Sequence, residues 1–470
     1  MAKESSKIGF VTFVGIVMAM VATVRSIPTL AAASWQMIFW MIFAVLFFAL
    51  PVSLMSGELS TMLQDEGGPQ LWVKTAMGSK WGFVTAWLLW VQMFPGMVMV
   101  ASTLGPLLGN AIGNTTLGNN HWFTLGCILV IYWIITILNL KFDMAKIGGS
   151  IGVWLGVYIP VAVMVIMGVL SFLKVGIQAH SVLGSFSPMK LLPTDTSSLK
   201  YVGAIAFIFT GIETAGVYVP RLKEATKNFS RGLIVALIGL IFLNIVNAFF
   251  VADVVPKGST QLTNITQPIL IFCHILGWPT IIANIFSLLA FIGVILQLSA
   301  WVTGPSQTII QVAKEGLIPA KWHFQRENKY GVSKNVVLTQ SICISLFALM
   351  YALPNINTVF LTLVNTTTLL YCIIYLFIGI AFIKLRYSKA DVERPYRVGK
   401  NGNGLAWTMT VMFLFGIILI GIVSLVSQPL LNAVIMLVIT VVLTIIPIII
   451  DKFKKDEWYT DAQEDLKNNK

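Results

Sequence analysis

The feature that most constrains this chain is a repeated run of about 20 apolar residues, the length a helix needs to cross the hydrocarbon core of a bilayer. Twelve such segments can be counted. The first six are Phe10–Ala33, Met37–Met55, Val84–Leu108, Phe123–Leu140, Ile151–Leu173 and Tyr201–Val219. Segments seven to twelve are Leu233–Val255, Ile281–Val312, Val336–Leu353, Val359–Lys384, Leu405–Val426 and Leu430–Ile450. In hydrocarbon every backbone N–H and C=O must find a partner within the chain, so segments of this length specify helices. The expected fold is an all-α polytopic membrane protein with 12 transmembrane helices and no folded soluble domain.

Composition enters as a check, with 57% hydrophobic and 11% charged residues among 470 and a mean hydropathy of +0.85. The formal charge of +12 would suggest nucleic acid as the partner of a soluble protein. Here the basic residues sort by loop instead. Of 31 Lys and Arg, 26 fall in the amino-terminal segment, alternate loops and the tail, while the opposite loops hold Lys174, Lys190, Lys200 and Lys257. By the positive-inside rule both termini are cytoplasmic, in the cell membrane. The cluster Lys384, Arg386, Lys389, Arg394 and Arg397 is then expected to face anionic headgroups. No nucleic-acid partner is expected.

Residues 8–450 read as one transporter-sized domain and 451–470 as a cytoplasmic tail, polar and partly disordered. The start carries no cleavable leader pattern, so segment one is expected to remain. The apolar stretch Thr263–Leu276 is too short to span and suits a helix over the outer mouth. Cys127, Cys273, Cys343 and Cys372 have no metal-ligand or disulfide spacing. His121, His180, His274 and His323 are scattered, so neither catalysis nor a cofactor is expected.

One basic residue escapes the loop count. Arg25 lies inside segment one, where an unpaired cation near mid-bilayer costs roughly 2.5–3.5 kcal/mol on insertion scales. The acidic residue that could answer it is Glu213, in segment six. Both segments carry helix-breaking chemistry: Ser26 and Pro28 suit a cap and first turn beside Ile27, and Thr210-Gly211 is a weakly helical point. Broken helices in corresponding positions of two halves point to a transporter's central site, where free N–H groups hold a carboxylate and unwound carbonyls an ammonium group. An α-amino acid presents both.

Three readings of Arg25 stay open: substrate binding or gating, a fixed ion pair with Glu213, and snorkelling toward an interface about eight residues, or ~12 Å, away. Glu213 reads as a proton acceptor or gate, or as a fixed counter-ion. Tyr371 and Tyr375, at i and i+4, share a helix face and suit either helix packing or substrate contact.

The stretches Gly57–Gly68, Phe209-Thr-Gly-Ile-Glu-Thr-Ala215, Leu222-Lys-Glu-Ala-Thr-Lys-Asn228 and Ser299-Ala-Trp-Val-Thr-Gly-Pro-Ser306 together resemble the amino acid–polyamine–organocation (APC) transporter superfamily. Within it they are most similar to the bacterial glutamate/γ-aminobutyrate antiporters. The resemblance implies a leucine-transporter-like 5+5 inverted repeat with broken helices 1 and 6. Repeat one would occupy about 8–175, repeat two about 199–385, and two peripheral helices about 405–450. It also implies that Glu213 serves gating or proton coupling and that Tyr371 and Tyr375 line the substrate site.

Two positions depart from the antiporters resembled: Arg25 stands where they carry an acid, after Val24 in place of a tyrosine, and Gln297 stands for their segment-eight glutamate. Two acids thus become a cation and an amide, which disfavours an amine. The expectation is an antiporter exchanging an acidic or neutral amino acid for a related amino acid or decarboxylation product by alternating access. Its substrate-binding residues would be Arg25, Ser26, Ile27, Gly211, Gln297, Tyr371 and Tyr375. Small-molecule substrate, membrane lipid and protons are the expected partners. A proton-coupled symporter, or a channel or non-transporting sensor, is the alternative.

Overall fold

The structure is a computed structural model, described for all residues except 1–7, 22–23, 64–67, 145–150, 153, 400–401 and 469–470. Parts of segment one and of the Gly57–Gly68 stretch therefore lie outside the described residues. Among those described, 10 helices are long and apolar enough to cross a membrane. They correspond to segments two to five and seven to twelve: Gln36–Met62, Ser79–Ala111, His121–Lys141, Trp154–Val175, Ala225–Val254, Ile281–Lys314, Lys334–Ala352, Ile356–Ser388, Gly404–Val426 and Leu430–Lys452.

Segments one and six, by contrast, form shorter pieces. Segment one contributes helices Phe10–Val21 and Ile27–Ala32, the second of only 6 residues, with Val24–Ser26 in a turn before it. Pro28 fits because the first turn of a helix needs no donor there, but the Ser26 hydroxyl makes no cap hydrogen bond. Segment six runs as helix Val202–Phe207, then a turn, then a 3-10 helix over Ile212–Arg221. Gly211 has φ +90 at that turn, a conformation a Cβ would strain.

Small residues let these pieces pack closely. An added Cβ at Gly156 of segment five would lie 3.0 Å from the Gly293 carbonyl carbon of segment eight. One at Gly216 would lie 2.7 Å from the Ser56 carbonyl oxygen. Where attraction between helices is mostly van der Waals contact, such approaches hold the bundle.

On the face carrying the basic loops the structure departs from expectation twice. Arg386 and Arg394 do not face lipid headgroups: Arg386 Nε donates to Glu58 Oε1 at 2.9 Å, its NH2 group donates to Oε2, and Arg394 Nε lies 3.2 Å from Oε1. Both partners of the Arg386–Glu58 pair have side chains 1% exposed. A carboxylate thus draws the two arginines inward and fixes the segment ten–eleven loop, whose Val398 N–H also donates to Glu58 at 2.8 Å. The tail is ordered too. Helix Glu457–Asn468 buries Ala462 completely, and Asp465 accepts from Gln325 and Arg326 at 2.8 Å. Its low apolar content hid a helix held by polar contacts.

Candidate functional site

The candidate site residues fall in two groups, each with one member at a turn of segment one or six. In the first, Arg25 lies in the turn of segment one and is 5% exposed. Its NH1 group donates to Gln297 Oε1, and its guanidinium carbon lies 5.3 Å from the Trp301 ring centre. Gln297 and Trp301 are four residues apart on segment eight, so one helix face presents both. Arg25 is thus enclosed by protein, and no Arg25–Glu213 ion pair occurs among the described residues. An amide oxygen and an aromatic face accommodate the cation without neutralising it.

The second group lies where segments six and ten meet. The Gly211 N–H donates to the Tyr375 hydroxyl oxygen at 3.2 Å, and that hydroxyl donates to Glu213 Oε2 at 2.9 Å. Glu213 is 3% exposed. Tyr371 stacks on Tyr375 with ring centres 5.4 Å apart and 17° between planes, and the Gln92 side chain donates to the Tyr371 hydroxyl at 3.3 Å. Phe48 closes the other side of Tyr375 at 4.8 Å. Ser26 is half-buried and Ile27 buried beside Arg25; among the described residues the Ser26 hydroxyl makes no hydrogen bond to the second group.

Gln92, from segment three, and Trp301 were not singled out as site residues from sequence. Trp301 lay within the Ser299–Ser306 stretch that carried the resemblance, and its i+4 spacing from Gln297 was the available signal. Gln92 carried none beyond being an amide within an apolar segment.

Across residues 8–445 the chain matches the amino acid permease family model. The chain belongs to the amino acid permease family. This permease is 28% identical over 387 residues to an uncharacterised transporter of Legionella pneumophila, covering 80% of this chain and 81% of that one. It is 26% identical to a glutamate/γ-aminobutyrate antiporter of Lactococcus lactis, covering 88% and 84% respectively. The crystal structure of MhsT in complex with L-phenylalanine superimposes with TM-score 0.58 at 13% identity, covering 88% of the permease and 98% of that chain. That likeness shows the leucine-transporter fold. The permease is therefore a multi-pass membrane transporter of small molecules, and not an enzyme.

Proposed function

We propose that the permease is an antiporter that exchanges an acidic or neutral amino acid for a related amino acid or its decarboxylation product by alternating access. The observation that carries this reading is Arg25, buried beside a helix interruption with an amide and an indole as its recorded partners rather than a carboxylate. A guanidinium has five N–H donors in a fork that matches a carboxylate. Among the described residues only Gln297 is recorded as accepting from it. The same cation repels an amine, so a diamine or a decarboxylated cation is disfavoured on that side of the site.

Glu213 supports proton coupling as a second reading, because its carboxylate is buried, receives the Tyr375 hydroxyl, and has no ion pair among the described residues. In both readings the chain sits in the cell membrane with its termini in the cytoplasm, Ser26, Ile27 and Gly211 supply backbone at the interruptions, and repeats 8–175 and 199–385 move about the site. Proteoliposomes loaded with unlabelled amino acid test the choice: counterflow of labelled glutamate or glutamine supports exchange. Equal efflux into buffer lacking amino acid contradicts obligatory exchange and favours proton symport.

A further inference from the structure

Beyond the interrupted segments, on the face opposite the basic loops, a cavity of about 900 Å³ opens against the end of helix Ile27–Ala32. It is of ligand-pocket size. Ala32, seven residues along the chain from Arg25, is among the residues that line it. Three of the four lysines in the loops of that face, Lys190, Lys200 and Lys257, line it, together with His180 and a single acid, Asp195.

The rim that carries these cations is built rather than loose. Val182 N–H donates to the Val255 carbonyl at 2.9 Å and Lys257 N–H to the His180 carbonyl at 3.1 Å, which joins the segment five–six loop to the end of segment seven. Ser34 and Trp35, just past helix Ile27–Ala32, donate to the Val182 and Leu183 carbonyls at 3.0 and 3.1 Å. Lys190 is held over the Ser185 carbonyl at 2.7 Å, and Lys200 lies 5.1 Å from the Tyr201 ring centre.

None of the three lysines has an ion pair among the described residues. The one acid in the lining, Asp195, accepts from the Ser197 N–H at 2.8 Å and from Gln36 at 3.3 Å, and its charge offsets only one of the three lysines. Ser197, hydroxyl and backbone together, holds its carboxyl below the ordinary carboxylate range. Uncompensated positive charge in a concave, partly enclosed cavity concentrates anions and raises their encounter rate.

We propose that this vestibule is a capture subsite for small carboxylates, formed by Lys190, Lys200 and Lys257, from which an anionic substrate passes to Arg25. The proposal rests on the acidic-substrate reading of the central site, and it assigns the vestibule a ligand class of its own. Capture is electrostatic, so it acts on anions and leaves neutral amino acids untouched, and salt weakens it.

Two arms test it on the full chain. In the first, uptake of glutamate and of glutamine into proteoliposomes of zwitterionic lipid is compared between the native protein, K190Q/K200Q/K257Q and K190R/K200R/K257R. The glutamine triple variant is expected to raise KM for glutamate about tenfold at low salt, with kcat and the glutamine KM unchanged, and the arginine triple variant to restore it. An unchanged glutamate KM, or an equal rise for glutamine, overturns the proposal.

The second arm needs no transport: a membrane-impermeant amine-acylating reagent is applied to the purified protein with glutarate or glutaramide. Protection of the three lysines by glutarate alone supports the subsite even if neither amino acid is carried, in which case only the substrate reading fails. No protection by glutarate, or equal protection by both compounds, overturns it.

Discussion

The guanidinium carbon of Arg25 lies 5.3 Å from the centre of the Trp301 ring, while NH1 of the same side chain donates to Gln297. A cation over an indole face gains about 2 kcal/mol or more where water is excluded, comparable with the cost of placing arginine near mid-bilayer on insertion scales. The charge is tolerated and yet not cancelled, which is what a carboxylate-binding group requires. Trp301→Leu is expected to weaken glutamate binding by about tenfold while Trp301→Phe keeps most of it, read as the concentration dependence of uptake. Equal loss in both variants would show that the ring serves packing alone.

Arg386 and Glu58 form a second buried pair, away from Arg25. Removing Arg386 takes two donors from the buried Glu58 carboxylate and leaves Arg394, at 3.2 Å, as its arginine partner among the described residues, a loss of about 3 kcal/mol. Arg386→Met should therefore lower the thermal unfolding midpoint in detergent markedly, and the double variant Arg386→Met with Glu58→Gln should recover only part of it, because Arg394 then loses its carboxylate. A single variant as stable as the native protein would refute the pairing.

Tyr375 receives the Gly211 N–H and donates to Glu213. Tyr375→Phe removes both bonds and leaves the buried Glu213 carboxylate with its backbone N–H donors alone, at a cost of about 1–3 kcal/mol. Exchange should slow by about tenfold or more. Tyr371→Phe loses one 3.3 Å bond from Gln92 and should slow it less, as initial rates would record. The reverse order would place the substrate against Tyr371 rather than at the Gly211–Glu213 turn.

The docking of the tail helix should depend on pH. Arg326, with His323 contributing, lowers the Asp465 pKa below its ordinary value. A carboxylate depressed in the docked state stabilises docking above its undocked pKa, and that stabilisation is lost as pH falls through the docked value. Proteolysis at the 452–457 junction should thus accelerate in acid below the ordinary carboxylate range, and Asp465→Asn should show the faster rate already at pH 7. A rate in the native protein that stays flat into that range would sink this account.

Much of the architecture was legible because hydropathy measures what a bilayer demands, and ten of the twelve expected segments coincide with long helices. The remaining two, segments one and six, contribute shorter described pieces that meet turns near Ser26 and Gly211. Contacts distant in sequence left no mark. Glu58 and Arg386 are separated by 328 positions, and a loop count assigns every arginine near a span end to lipid. Arg25 and Glu213 suggested each other because opposite charges are scarce in apolar segments; the amide of Gln297 and the ring of Trp301, which carry no charge, meet the arginine instead. The tail helix escaped because its apolar contacts are few, with Ala462 fully buried and Trp458 and Leu466 half-buried, and the rest of its hold is polar.

Counterflow competition in proteoliposomes bears most directly on the role of Arg25. With labelled glutamate or glutamine as tracer, the native protein should be inhibited by acidic and neutral amino acids and not by putrescine, and Arg25→Glu should reverse that order. A native protein that exchanges putrescine, with the Arg25→Glu variant showing the same rates and the same preference, would contradict the account.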